Sequence, residues 1–137
     1  MTNDIGVQLL SPSGLVSSPA FSHVAVVPPG ATMIYVGGQN AVDADGTLVG
    51  GDDVAAQTRQ TMINLATALE AVGASVADLI SVTLLIAAGQ DLRAAYGVAA
   101  PLLATDGPPP LVTAAIVASL AVPGALLEVA AIAAVVR

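Results

Sequence analysis

The sequence contains no cysteine, no lysine and no tryptophan, and its 137 residues include one histidine, one phenylalanine and two tyrosines. The missing cysteine excludes disulfides, thiolate metal sites and cysteine nucleophiles together. Three basic residues face ten acidic ones, giving a formal net charge of −7. Such a chain repels a phosphate backbone, so nucleic acid is not an expected partner. With so few aromatics, a core has to be filled by small and branched side chains, and the hydrophobic fraction of 55 % is mostly Ala, Val and Leu. Beta-branched residues suit strands. The length is that of a single domain over residues 1–137, long enough to bury a core.

The opening "MTNDIGVQLLSPSG" is mixed and turn-rich, without a basic segment leading into an apolar run, so a cytoplasmic location is expected. Mean hydropathy is nevertheless +0.85. The run Leu111 to Val136 has one charge in 26 residues, and a spanning helix is the rival reading. Pro123 and Gly124 split that run into two pieces of strand length, no Trp or Tyr flanks it, and no Arg falls between Arg93 and Arg137. Two strands joined at a Pro-Gly turn, with no membrane partner, are expected instead.

Along the chain, "SHVAVV" and "TMIYVGG" have strand character and are separated by "PPGA", which has hairpin-loop residues. Asp45-Gly46 marks a turn; a calcium loop would need a third acidic position and a bidentate Glu that Asp43 and Asp45 lack. Asp52 or Asp53 can cap a helix whose apolar positions Val54, Thr58, Met62, Leu65, Leu69 and Val72 recur at helical spacing up to Gly73. Gln57, Gln60, Asn64 and Thr67 form its expected water-facing side. "DLISVTLLIA" is a strand closing a strand-helix-strand crossover, and Asp91 caps a second helix that Gly97 and Pro101 place in doubt beyond its first half. Two apolar strands follow. The expected fold is α+β, a mixed, mainly antiparallel six-stranded sheet with two helices on one face. The other face is then bare and apolar, and association through the sheet would cover it.

Glu128 interrupts the aliphatic stretch "PGALLEVAAIAAVVR". A carboxylate there faces solvent, is paired, or is held in place for chemistry, since burying it alone is costly. A metal site is not expected from one His and no Cys, with acidic residues mostly in turns and caps. No Gly-Lys-Ser/Thr follows the glycines of "VGGQNAVDADG", and Ser22 beside His23 on a strand would point away from it, which argues against phosphate-cradling and serine-triad chemistry.

The order of elements, with "MIYVGGQNAVDADGTLVG", "DDVAAQTRQTMINLATALEAVGASVADLISVTLLI", "PPPLVTAAIVASL" and "LLEVAAIAAV", resembles the RidA (YjgF) family over nearly the whole chain. That resemblance implies homotrimers whose sheets pack around a central barrel, with clefts between subunits that bind small molecules and need no cofactor. In the best-known branch these clefts hydrolyse enamines and imines to ketoacids and ammonia. There an arginine near the start of the penultimate strand binds the substrate carboxylate, and a glutamate on the last strand positions the attacking water.

By this resemblance Glu128 stands in the glutamate's register. Pro110 matches the proline two residues before the family arginine, so Val112 takes the arginine's place. Gly37 replaces a frequent serine, Phe21 the N-terminal tyrosine and Tyr96 a helix asparagine, while Gly38-Gln39 persists and Gln39 would help hold the substrate. The Val112 wall favours a ligand without a carboxylate. Arg93, three residues before Tyr96 on one helix face, is either a substitute cation or a solvated arginine. His23 is either a ligand or proton-transfer contact or a hydrogen-bonded structural residue. Two functions follow: hydrolysis of an enamine, imine or related electrophile with Glu128 steering water, or non-catalytic ligand binding or assembly by a protein that lost the chemistry with its arginine. A ribonuclease activity, sometimes attached to the family, conflicts with the charge.

Overall fold

The computed structural model describes residues 6–137. The chain is α+β, and the described residues form two α-helices and six strands. In chain order these are β1 (Gln8–Leu10), β2 (Val24–Val26), β3 (Thr32–Gln39), α1 (Val54–Glu70), β4 (Leu79–Ala87), α2 (Leu92–Leu103), β5 (Leu111–Val117) and β6 (Leu127–Val135). A four-stranded sheet has the order β3-β6-β4-β5, and β1 and β2 form a separate antiparallel ribbon. The six strands therefore make two sheets rather than one. A single parallel bridge, Ser22 to Leu111, joins them, supported by the Ser22 amide donating to the Pro110 carbonyl at 3.0 Å. The seam stops there because the chain after Ser22 turns to β1, with the His23 amide donating to the Leu10 carbonyl.

Two local expectations are corrected by this topology. Val24–Val26 pairs backward with Gln8–Leu10, not across "PPGA" with β3. Nor do β5 and β6 form a hairpin: β5 pairs in parallel with β4, while β6 inserts antiparallel between β3 and β4. The second outcome follows from the crossovers. Each helix returns the chain parallel to the strand before it, and β6 fills the slot left open between β3 and β4. The apolar run from Leu111 to Val136 is thus two strands, and among the described residues no helix is long and apolar enough to cross a membrane.

Helix α1 begins where Asp53 caps it, its carboxylate accepting from the Ala55 and Ala56 amides. Met62, Leu65 and Leu69 lie at helical spacing and are buried against Val82, Leu127, Val129 and Ala131 of the sheet. Each such side chain contributes on the order of 2 kcal/mol by leaving water. The polar side expected to face water does not do so throughout. Gln57 is 0 % exposed and clamps a loop: its amide donates to the Gly51 and Gly124 carbonyls at 2.7 and 3.0 Å and accepts from the Leu126 amide at 2.9 Å. Val72, expected inside, is exposed beyond the helix end. Helix α2 runs through Pro101 to Leu103. The proline falls in the last turn, where its missing N–H removes one hydrogen bond and the helix is about to end. Asp43 closes a turn, its side chain accepting from the Asp45 and Thr47 amides.

Candidate functional site

Successive side chains on a strand point to opposite faces. On β6, Leu127 and Val129 are buried in the core beneath the helices, so Glu128 between them projects from the face that carries no helix. Its Cα is level with Leu85 of β4. On the other side, the β3 register slips between Val36 and Gln39, placing three residue steps of β3 against two of β6. This bulge contains Gly37 and Gly38 and brings the backbone against the carboxylate. A Cβ on Gly38 would lie 2.6 Å from Glu128 Oε2 and 2.7 Å from its Cδ. Glycine permits this close approach: any side chain here would push the Glu128 carboxylate aside.

The half-buried carboxylate is steered by an amide. Asn40 Nδ2 donates to the Leu127 carbonyl at 3.0 Å and reaches Glu128 Oε1 at 3.5 Å. Asn40 is itself braced from α1, because Asn64 Nδ2 donates to the carbonyls of Asn40 and Val42 at 2.8 Å each, and Gln60 donates to Asn64 Oδ1 at 2.9 Å. Sequence reasoning assigned Gln60 and Asn64 to the wet side of a helix and gave Asn40 no role. The signal was present as a run of amides at helical spacing downstream of "GGQN", but amides announce neither their partners nor their burial. Gln39 turns its own amide back to the Gly37 carbonyl at 3.2 Å.

No arginine stands on the Glu128 face. Arg59 and Arg93 are on exposed surfaces of α1 and α2, and Arg137 donates to the Val72 carbonyl at 2.9 Å. Arg93 therefore lies across the sheet from Glu128 within one chain. Val112 is also on the helix side. With Phe21 and Tyr96 it lines a chamber of about 280 Å³ between α2 and β4, β5 and β6. From the register, Val112 and Glu128 are two strands and three residues apart, roughly 14 Å between Cα atoms. The candidate residues thus divide into a Glu128, Gly37 and Gly38 group on the open face and a Val112, Phe21 and Tyr96 group under α2. His23 adjoins the second group through an edge-on contact with Phe21, ring centroids 5.3 Å apart. Its Nε2 lies 2.6 Å from the Val16 carbonyl, which can only accept, so this nitrogen carries the proton and fastens the N-terminal loop. Among the described residues there is no group of three or more side chains suited to a metal.

Residues 13–135 match the family model described as endoribonuclease L-PSP. The chain belongs to this RidA/YjgF family. The Rid-family protein YyfB of Yersinia pestis, itself described as of unknown function, is 29 % identical, with 96 % of this chain and 100 % of that one covered and a TM-score of 0.84. A Mycobacterium tuberculosis member of the YjgF/YER057c/UK114 family is 26 % identical over 95 % of this chain and 100 % of that one, with a TM-score of 0.60. A yeast structure is similar at 26 % identity, with 93 % and 98 % of the two chains covered and a TM-score of 0.67. No curated protein sequence matches. For a RidA/YjgF protein, the α+β fold and the two-helix face are as expected.

Proposed function

We propose that this chain is a homotrimeric Rid protein that binds a small, carboxylate-free metabolite in clefts between subunits and hydrolyses its imine or enamine bond, with Glu128 positioning the water. The observation that carries this reading is the Glu128 carboxylate seated on Gly38 and steered by Asn40, on a sheet face bare of helices. Tyr35, 73 % exposed, stands on that face, and a hollow beside it is lined by Ser81, Thr83, Ala130 and Ile132. A neighbouring subunit covering this surface would take the exposed Tyr35 ring and Ile132 out of water. One chain alone keeps Val112 and Glu128 on opposite faces, and the intersubunit clefts implied by the family resemblance would let a second chain's Val112 wall meet Glu128. In the reaction, an enamine first takes a proton at carbon to become the imine; water oxygen then bonds to the imine carbon as the C=N π pair moves to nitrogen and Glu128 takes a water proton. Glu128 returns that proton to nitrogen, and the carbinolamine loses its hydroxyl proton as the C–N bond breaks, releasing the carbonyl compound and an amine or ammonia.

The reading calls for no cofactor, nucleic acid or membrane, and for a cytoplasmic location. The family description as an endoribonuclease suggests RNA, but a net charge of −7 opposes that substrate. Val112 favours a second reading, ligand binding without catalysis, because the guanidinium that would orient a carboxylate is absent. Rates of carbonyl release from a freshly generated carboxylate-free ketimine and from 2-aminoacrylate, with and without protein, decide between them. Acceleration of the ketimine that Glu128→Gln abolishes supports hydrolysis, and Val112→Arg should then shift preference to 2-aminoacrylate. Equal rates with and without protein leave the binding reading alone.

A further inference from the structure

The chamber behind Val112 has walls of unusual uniformity. Met62, Leu84, Ile86, Leu103 and Val129 supply much of its surface, and among the described residues no charged side chain lines it. Its one deep hydroxyl, on Thr58, already donates to the Val54 carbonyl at 2.7 Å. A water inside would find too few partners, and an ion would be desolvated without compensation. The mouth is formed by groups that remain partly exposed, Tyr96 at 57 % and Val112 at 41 %. A second hollow, backed by Pro109 and Pro110, shares Ala20, Tyr96, Leu103 and Val112 with the chamber and so leads into it from the surface.

We propose that this chamber binds an uncharged, largely hydrocarbon molecule of about ten non-hydrogen atoms, with at most one hydrogen-bonding group, directed at Tyr96 in the mouth. The size follows by scaling from an apolar cavity of about 150 Å³ that holds benzene. This names the ligand class for the Val112 wall and rests on the reading above only in taking that ligand as the substrate; binding itself uses residues of one chain and not Glu128.

1-Naphthol, neutral at pH 7, is the probe, and 1-naphthoate its anionic counterpart. Titration followed by fluorescence or calorimetry should give saturable 1-naphthol binding with a Kd on the order of 0.1 mM and affinity for 1-naphthoate weaker by about tenfold or more. Ala114→Phe on the exposed edge strand, and independently Ala99→Leu on α2, reduce the chamber and should each weaken 1-naphthol about tenfold while the melting transition is retained. Val112→Arg should reverse the preference toward 1-naphthoate. The proposal is overturned if 1-naphthol shows no saturable binding, binds no tighter than 1-naphthoate, or is unaffected by both filling substitutions in folded protein. Naphthol binding without ketimine hydrolysis would remove the catalytic reading and leave this one standing; hydrolysis without naphthol binding would do the reverse.

Discussion

Adding one methyl group at Gly38 should move the Glu128 carboxylate and little else. Gly38 is not among the glycines with positive φ, so alanine can adopt its backbone conformation. The new Cβ would start 2.6 Å from Oε2, where ordinary contact begins at 3.4 Å, so the carboxylate must retreat by about 0.8 Å. It is the free end of a flexible side chain and can do so. Turning it off its preferred rotamer costs about 0.5–1.5 kcal/mol, and replacing glycine in a strand returns about 0.4–1 kcal/mol through the unfolded chain. Net stability should change by less than about 1 kcal/mol, a melting shift within about 4 °C for a domain of this size. The Asn40 contact, already 3.5 Å long, would be lost. If Glu128 positions water, a displacement of this order should lower kcat/KM for ketimine hydrolysis by about 10²-fold. Gly38→Ala combined with Glu128→Gln should be no slower than Glu128→Gln alone, since both act through one carboxylate. Hydrolysis by folded Gly38→Ala within twofold of the parent would refute the reasoning.

Three further outcomes are expected. Gln57→Leu leaves the Gly51 and Gly124 carbonyls and the Leu126 amide without their partner, and should cost about 2–4 kcal/mol in denaturant unfolding; a loss under 1 kcal/mol would show that water replaces the amide freely. Asp53→Ala removes the α1 cap and should cost about 1 kcal/mol, recovered mostly by Asp53→Asn. Tyr35→Glu with Ile132→Asp places two charges on the bare sheet face and should convert a trimer to monomers in sedimentation equilibrium, whereas an unchanged mass would place the subunit contact elsewhere.

Helix α1 and strand β4 were legible because each is decided locally: Asp53 caps, Met62, Leu65 and Leu69 recur at helical spacing, and "LISVTLLIA" is β-branched and continuous. Pairing was less legible because it depends on distant segments. "PPGA" does bend the chain, with the Ala31 amide donating to the Pro28 carbonyl, yet nothing within it tells β2 to seek β1 over β3. The same holds for Pro123-Gly124, a real turn whose flanking strands part company. Glu128 could be singled out by its contrast with an aliphatic strand. Its neighbours could not, since Asn40 and Asn64 earn their places through hydrogen bonds spanning 88 and 24 residues of sequence. The division of Glu128 and Val112 between two faces is likewise invisible until the strand order is known.

The position of β6 also orders events during synthesis. It is the last of the described strands to be made, yet it lies between β3 and β4 in the finished sheet. At about 5–20 residues per second, β3 waits roughly 5–20 s after leaving the peptidyl-transfer centre before its partner exists. Through that interval the inner edges of β3 and β4 are unpaired and rich in Val, Ile and Leu. Completion of the sheet is thereby deferred until β6 has been made, and a nascent chain stalled before Leu127 presents two sticky edges to chaperones and to its neighbours on the same message.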